Sequence, residues 1–360
     1  MGRGLGETGA AGEPVTADLE LVVERPGTHR LAAHTPRPPG PGEALIRVHS
    51  VGICGSDREV YRGTRPEGYV RYPVVPGHEW SGRVEAVGPG VSAELVGRLT
   101  VGEGFRNCQV CARCRDGEST LCTAGYEETG FTRPGAMAAT LTLPARLLHL
   151  LPDDADPTAA ALMEPAACGA AAALLAGVRP GERVAVVGTG TLGLLIVQFL
   201  AASSPGALLA IGRAPQHADR ALAFGATEFR SSEDRSGAGD FDVVVEAAGA
   251  PGTAALAASL LRRGGRLVLT GIPAPGSDGL DPVDLVVRKL EVHTVFGATA
   301  TAWAHAVRAF AAGILNPLPL VTHRIPLAEF ADALDLIGRG DPAVGKVLLF
   351  PNSVGPAPIP

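Results

Sequence analysis

The chain has 360 residues, more than one compact module needs, and this length points to about two domains. Apolar residues make up 46% and charged residues 19%, which supplies a real core and excludes a disordered polypeptide. The 37 acidic and 31 basic side chains leave a net charge of −6, which argues against nucleic-acid binding, since phosphate contact needs a basic face.

Residues 1–17 are rich in Gly, Ala, Glu and Thr and read as a loose tail, as do residues 352–360. The opening MGRGLGETGAAGEP has no apolar stretch, so no signal peptide is expected and a cytoplasmic location is. From 18 to about 150 the pattern is short strands and turns punctuated by proline. Residues 44–51 (ALIRVHSV) alternate apolar and polar, and 81–87 (SGRVEAV) form a second strand closed by Gly88-Pro89-Gly90. The pattern changes near Pro157. Residues 159–176 are Ala-rich and predict a helix; then come a strand at 183–187, a glycine turn and a helix at 192–202. Further strands fall at 208–211, 241–247 and 265–271, with helices at 214–224 and 254–261. This alternation predicts an α/β, parallel, doubly wound sheet. The run 184–212 carries no charge, but its glycines and strand-like start favour a buried strand–turn–helix over a membrane span. A helix at 303–312 precedes strands at 322–325 and 345–350, which are expected to rejoin the first half.

Gly188-Thr189-Gly190-Thr191-Leu192-Gly193 is G-x-G-x-x-G between a strand and a helix, the context a dinucleotide site requires. Gly188, Gly190, Leu192 and Gly193 are therefore candidate cofactor-binding residues, with the pyrophosphate at the helix N-terminus. After the next strand stands Ile211-Gly212-Arg213, where an NAD site usually has a carboxylate for the ribose. Arg213 can pair with a 2′-phosphate, and Arg220 follows on the helix, so the sequence leans to NADP over NAD; use of both also fits, and a solvated Arg213 is the plain alternative. Cys108-x2-Cys111-x2-Cys114-x7-Cys122 has the spacing of a closed tetrahedral zinc site, with an iron–sulfur cluster as the alternative metal.

Two further strings, Cys54-Gly55-Ser56-Asp57 and Gly77-His78-Glu79-Trp80-Ser81-Gly82, complete a pattern. In order and spacing these motifs resemble the zinc-dependent medium-chain dehydrogenase/reductase family over residues 18–350. The resemblance implies a GroES-like catalytic domain over 18–168, completed by 308–351, and a Rossmann domain over 169–307. It implies one structural zinc on the four-cysteine lobe and one catalytic zinc on Cys54 and His78. The third ligand is left between Glu164, in the Glu164-Pro165 pair of the polyol branch, and Glu79, which also serves as a candidate catalytic group. Asp57 is the implied partner of the His78 ring and Ser56 the implied relay for the substrate proton. Glu59 stands where many relatives carry the next histidine, so the relay is left to end there, at a cofactor ribose or in water. Cys168 has no partner motif and reads as core.

Within the family, residues 72–82 (YPVVPGHEWSG), 95–98 (LVGR) and 130–136 (GFTRPGA) look like those of 2-deoxy-scyllo-inosamine dehydrogenases, with Gly97-Arg98-Leu99-Thr100 in place of the usual Gly-Asp-Arg-Val. That likeness implies oxidation of an aminocyclitol to 3-amino-2,3-dideoxy-scyllo-inosose in 2-deoxystreptamine (aminoglycoside antibiotic) biosynthesis. A sorbitol-, threonine- or general alcohol-oxidising enzyme and a non-catalytic NADP-binding member are the competing expectations. Aromatic residues are only 4%, which does not suggest a pocket for a large apolar alcohol. Glu59, Arg62, Glu79 and Glu128 are the candidate polar groups for the ring, and Glu128 or Glu59 for a substrate ammonium. The expected partner is a small polyol or aminocyclitol, with no nucleic acid and no membrane, in a homo-oligomer.

Overall fold

The computed structural model describes residues 18–352, apart from 235, 237, 274–276 and 278. Both expected tails lie outside the described residues, save Asn352. The first half opens with the hairpin β1 (Leu19–Arg25) and β2 (Thr28–Ala33). Then follow β3 (Glu43–Gly52), helix α1 (Gly55–Arg62), β4 (Glu79–Val87), β5 (Leu99–Gly102), the short helix α2 (Ala112–Arg115), β6 (Thr140–Pro144) and β7 (Leu148–Leu150).

Two helices lead out, α3 (Pro157–Ala160) and α4 (Met163–Ala176). The sequence suggests one continuous helix here, and the structure breaks it at residues 161–162. Pro165 is the reason: with no N–H it suits the first turn of a new helix, not the middle of a long one.

The second half is β8 (Arg183–Val187), α5 (Thr191–Ala201), β9 (Ala207–Gly212), α6 (Ala218–Ala223), β10 (Glu228–Ser231), β11 (Phe241–Glu246), α7 (Thr253–Leu260), β12 (Leu261–Leu269), α8 (Pro282–Arg288) and β13 (Glu291–Thr294). These strands form one parallel six-stranded sheet in the order β10-β9-β8-β11-β12-β13. The apolar runs of β8, β9 and β11 are buried on both faces, as a parallel sheet covered by helices requires. Proline at 215 shortens the helix expected at 214–224; a 3-10 turn at Pro215–His217 precedes α6.

The chain then crosses back through α9 (Ala300–Ala311), β14 (Val321–Pro326), α10 (Phe330–Gly338) and β15 (Lys346–Phe350). β14 and β15 join the first half in a seven-stranded sheet, β14-β15-β3-β4-β5-β7, with β6 also on β3. The architecture is thus a GroES-like β domain beside a Rossmann domain. A shared core binds them: Leu99 and Val101 of β5 pack in one apolar cluster with residues of α4, α5, α9 and β8. At the joint, His149 stacks on Trp303 with centroids 5.1 Å apart and interacts with Glu103 Oε1 at 3.2 Å.

Candidate active site

Strand register assembles the site. In the antiparallel pair β3–β4, Gly52 faces Glu79 and Val51 faces Trp80, which sets Cys54, just past β3, beside His78, just before β4. β15 pairs on the other side of β3, with Leu348 opposite Gly52. A Cβ at Gly52 would stand 2.4 Å from Glu79 Oε2 and 3.4 Å from Lys346 Cδ, so only glycine leaves room there for the Glu79–Lys346 pair. Lys346 Nζ donates to Glu79 Oε2 at 2.5 Å and to the Ile53 carbonyl at 3.2 Å, and both side chains are buried.

The donor atoms of Cys54, His78 and Glu79 lie within 4.8 Å of one another. Thiolate, imidazole and carboxylate are zinc's ligand types. The buried His78 Nδ1 and Asp57 Oδ1 face each other at 3.6 Å, beyond hydrogen-bond reach, and neither has another partner among the described residues. Asp57's other oxygen accepts the Cys54 backbone N–H at 2.8 Å, which ties the start of α1 to the site. Burial works against a charged His78, yet Asp57 and Cys54 outweigh it and hold the imidazole well above its ordinary pKa. That excess of negative charge is what a bound cation would relieve. The residues therefore fit a catalytic zinc.

Ser56 Oγ lies 3.4 Å from His78 Nε2. Glu164 stands in the first turn of α4, outside the group of three, and burial together with Glu79 and Glu128 raises its pKa to about 7 against the pull of His78. Cys168, one turn on, packs against the core and donates to Glu164 Oε1 at 3.8 Å. Glu59 is turned to Arg65, Oε2 to Nη1 at 3.4 Å, and Arg62 is exposed in a different cleft with Arg58 and Arg339.

The sequence reading named Glu128 but missed the rest of the wall beyond His78. Phe131 lies against the His78 ring, centroids 4.8 Å apart, and the Arg65 guanidinium sits 3.9 Å over Phe131. Arg65 Nη2 reaches Tyr126 Oη at 3.0 Å and Glu128 Oε2 at 3.7 Å, and Tyr126 Oη donates to Glu128 Oε2. Tyr126 also packs on Tyr69 and Phe105, and Phe105 on Phe296 of the Rossmann side. The chain is poor in aromatics, but it gathers them here.

The four lobe cysteines likewise bring their sulfurs within 4.8 Å, and none of the six cysteines is in a disulfide. Backbone N–H groups of Cys111 and Cys108 point at Cys108 Sγ and Cys122 Sγ, each at 3.4 Å. Backbone and side-chain donors at Thr123 and Cys114 pull the Cys111 thiol down to about 5, a thiolate ready for a metal. In the glycine turn, Gly188 takes φ +120°, and a Cβ on Gly193 would stand 2.0 Å from the Gly188 carbonyl, so α5 closes tightly on the turn. Around Gly190 the same test meets nothing within 4 Å, which leaves the approach open. Leu192 is in the first turn of α5, and Arg213 is exposed just past β9. Thr189 Oγ1 is 2.8 Å from His217 Nδ1, and His217 Nε2 reaches the Pro342 carbonyl at 3.0 Å.

Comparison with known proteins gives the family. Residues 40–153 match the alcohol dehydrogenase GroES-like domain, and residues 191–312 match the zinc-binding dehydrogenase domain. An erythritol/L-threitol dehydrogenase of Mycolicibacterium smegmatis is 32% identical over 356 residues, covering 92% of this chain and 97% of that one. Sorbitol dehydrogenase of Bacillus subtilis is 28% identical over 320 residues, covering 86% and 90%. A crystal structure from Sinorhizobium meliloti 1021, described as a zinc-binding dehydrogenase bound to NADP, superposes with TM-score 0.85 at 27% identity, covering 93% of this chain and 99% of that one. The chain belongs to the zinc-dependent, NAD(P)-linked medium-chain alcohol and polyol dehydrogenases.

Proposed function

We propose that the enzyme oxidises a secondary alcohol of a polyhydroxylated ring, with 2-deoxy-scyllo-inosamine as the substrate and 3-amino-2,3-dideoxy-scyllo-inosose as the product, in the building of 2-deoxystreptamine. The observation that carries this reading is the acceptor-rich wall of the site: Glu128, Glu79 and Glu164 gather about the Cys54–His78 pair, where a simple alcohol would need an apolar slot. The polyol names of the relatives and the sequence likeness over 72–82, 95–98 and 130–136 support it.

Cys54, His78 and either Glu79 or Glu164 would hold the catalytic zinc, and the four lobe cysteines the structural one. Such a zinc supplies Lewis acidity that lowers the pKa of an alcohol hydroxyl, while nicotinamide supplies the hydride acceptor. The chain's own task is placement and proton handling. Ser56 Oγ, beside His78, is set to accept the hydroxyl proton. Glu59 is turned to Arg65, so a cofactor ribose hydroxyl or water, more readily than Glu59, would take the proton on from Ser56. Gly188, Gly190, Leu192 and Gly193 would cradle the pyrophosphate, and Arg213 would meet a 2′-phosphate, giving NADP the preference. The domain limits 18–168 with 308–351, and 169–307, are part of this reading, as are a cytoplasmic location and a homo-oligomer.

The test is cofactor reduction by zinc-replete protein given 2-deoxy-scyllo-inosamine, sorbitol, threonine or ethanol, each with NAD and NADP. Fast turnover of the aminocyclitol alone is the expected result. Faster turnover of sorbitol or threonine would replace the ring substrate by an open-chain one.

A further inference from the structure

We propose that this pocket selects its substrate by charge, favouring a hydroxylated ring that bears a protonated amine over neutral and anionic polyols, and that Glu128 is the carboxylate receiving the amine. The inference rests on the reading above, because it concerns the same site.

Glu128 is held from several sides. Its carbonyl accepts the N–H groups of Phe131, Thr132 and Arg133, and its own N–H donates to Thr132 Oγ1 at 2.9 Å. Oε2 takes the Tyr126 hydroxyl and faces Arg65. Oε1 takes no hydrogen bond among the described residues. Gly104 keeps the space beside it: a Cβ there would stand 3.3 Å from Oε1. Oε1 is not among the sealed side-chain atoms that lack a partner, so the carboxylate is fixed through one oxygen and leaves the other open to an incoming donor. Burial accordingly pushes the Glu128 pKa up, against the pull of His78.

Arg65 does not balance this charge, because it serves two carboxylates, Glu59 and Glu128. The imbalance extends through the site. The carboxyl groups of Asp57, Glu59, Glu79, Glu128 and Glu164 outnumber the cationic side chains of Lys346 and Arg65. Asp57, Glu79 and Glu128 are buried, out of reach of salt screening, so their field acts on whatever enters. A protonated amine at Oε1 makes a charge-assisted hydrogen bond and offsets the excess. A phosphate or carboxylate on the substrate meets repulsion, which is how a site rejects a near-isosteric competitor.

Calorimetric titration of the zinc-loaded enzyme with reduced cofactor bound tests this without turnover. The probes are 2-deoxy-scyllo-inosamine, scyllo-inositol and a scyllo-inositol phosphate at pH 7. The amine should bind about tenfold or more tightly than the neutral ring, as one charge-assisted bond is worth, and the phosphate should bind weakest. Glu128→Gln should erase the advantage of the amine, weakening it far more than scyllo-inositol, with zinc content and circular dichroism retained. Gly104→Ala crowds Oε1 without removing the carboxylate, and should move the amine in the same direction. Equal binding of amine and neutral ring by the native enzyme, or an equal loss of both in Glu128→Gln, would overturn the proposal. Preferred binding of an amine that the enzyme does not oxidise would leave charge selection standing and remove the proposed substrate.

Discussion

Lys346 lies 267 residues from Glu79 in sequence and forms a closed ion pair with it. Both are buried, so neither charge has water to fall back on. Lys346→Met should therefore destabilise the metal-free protein by about 3 kcal/mol. Glu79→Gln added to it should recover most of that loss, as read from denaturant midpoints; an unchanged midpoint in the single variant would show the pair to be idle. The sequence held a sign of this residue, since Lys346 is one of only two lysines in an Arg-rich chain. Nothing local told where it points, because the pairing depends on β15 lying against β3. Arg213 is the reverse case, legible from its place after β9 and exposed in the structure. Arg213→Ala should raise KM for NADP about tenfold or more, the worth of one charge-assisted phosphate bond. KM for NAD should stay nearly as it was, and parallel steady-state kinetics with the two cofactors would decide.

Elements with a strong local cause were readable to within a residue or two. β8, the glycine turn and α5 fall where the G-x-G-x-x-G string puts them, because backbone approach at Gly193 tolerates no other residue. Hairpin β1–β2, edge strand β13 and helix α10 went unread. β13 is four residues long and owes its strand form to β12. α10 packs its apolar side on β14 and β15, so its meaning is tertiary. The cysteine lobe was legible from spacing alone, and it has little else to hold it: α2 has four residues and no buried side chain. Chelation, or Cys111→Ser, should release one zinc per chain and open residues 103–125 to proteolysis, since such lobes fold with their metal. An intact lobe after zinc loss would contradict this. At the foot of β8, Glu182 accepts the Arg179 N–H and pairs with Arg266, which also holds the Ala176 carbonyl ending α4. Burial raises the Glu182 pKa, but those partners outweigh it and keep it below the ordinary carboxylate value. A lowered folded pKa means the pair's stabilisation is full above that value and fades as pH falls through the lower folded one. Glu182→Gln should cost about 1 kcal/mol at pH 7. The gap in thermal midpoint between the two proteins should close in acid and stay constant from pH 6 to 8 on the alkaline side.

At the scale of the molecule, β13 ends the Rossmann sheet with one edge unpaired among the described residues, and α8 beside it exposes Val283, Val286 and Val287, the second of them 76% accessible. A bare edge next to an apolar face invites a second copy of the same surface. Light scattering should report twice the chain mass, and Val286→Asp with Val287→Asp should halve it; a native monomer would dismiss the interface. No helix among the described residues is long and apolar enough to cross a membrane. The return of β14 and β15 to β3 also bears on how the molecule comes into being. Ile53 and Lys346 meet across 293 residues, whereas strands β8 to β13 find their partners within their own half. During translation the dinucleotide-binding half is therefore complete while the catalytic sheet still lacks two strands and Glu79 still lacks its counter-charge. Catalytic competence is the last thing the ribosome delivers, and any chain cut short before β15 carries a finished cofactor fold attached to an unfinished reaction centre.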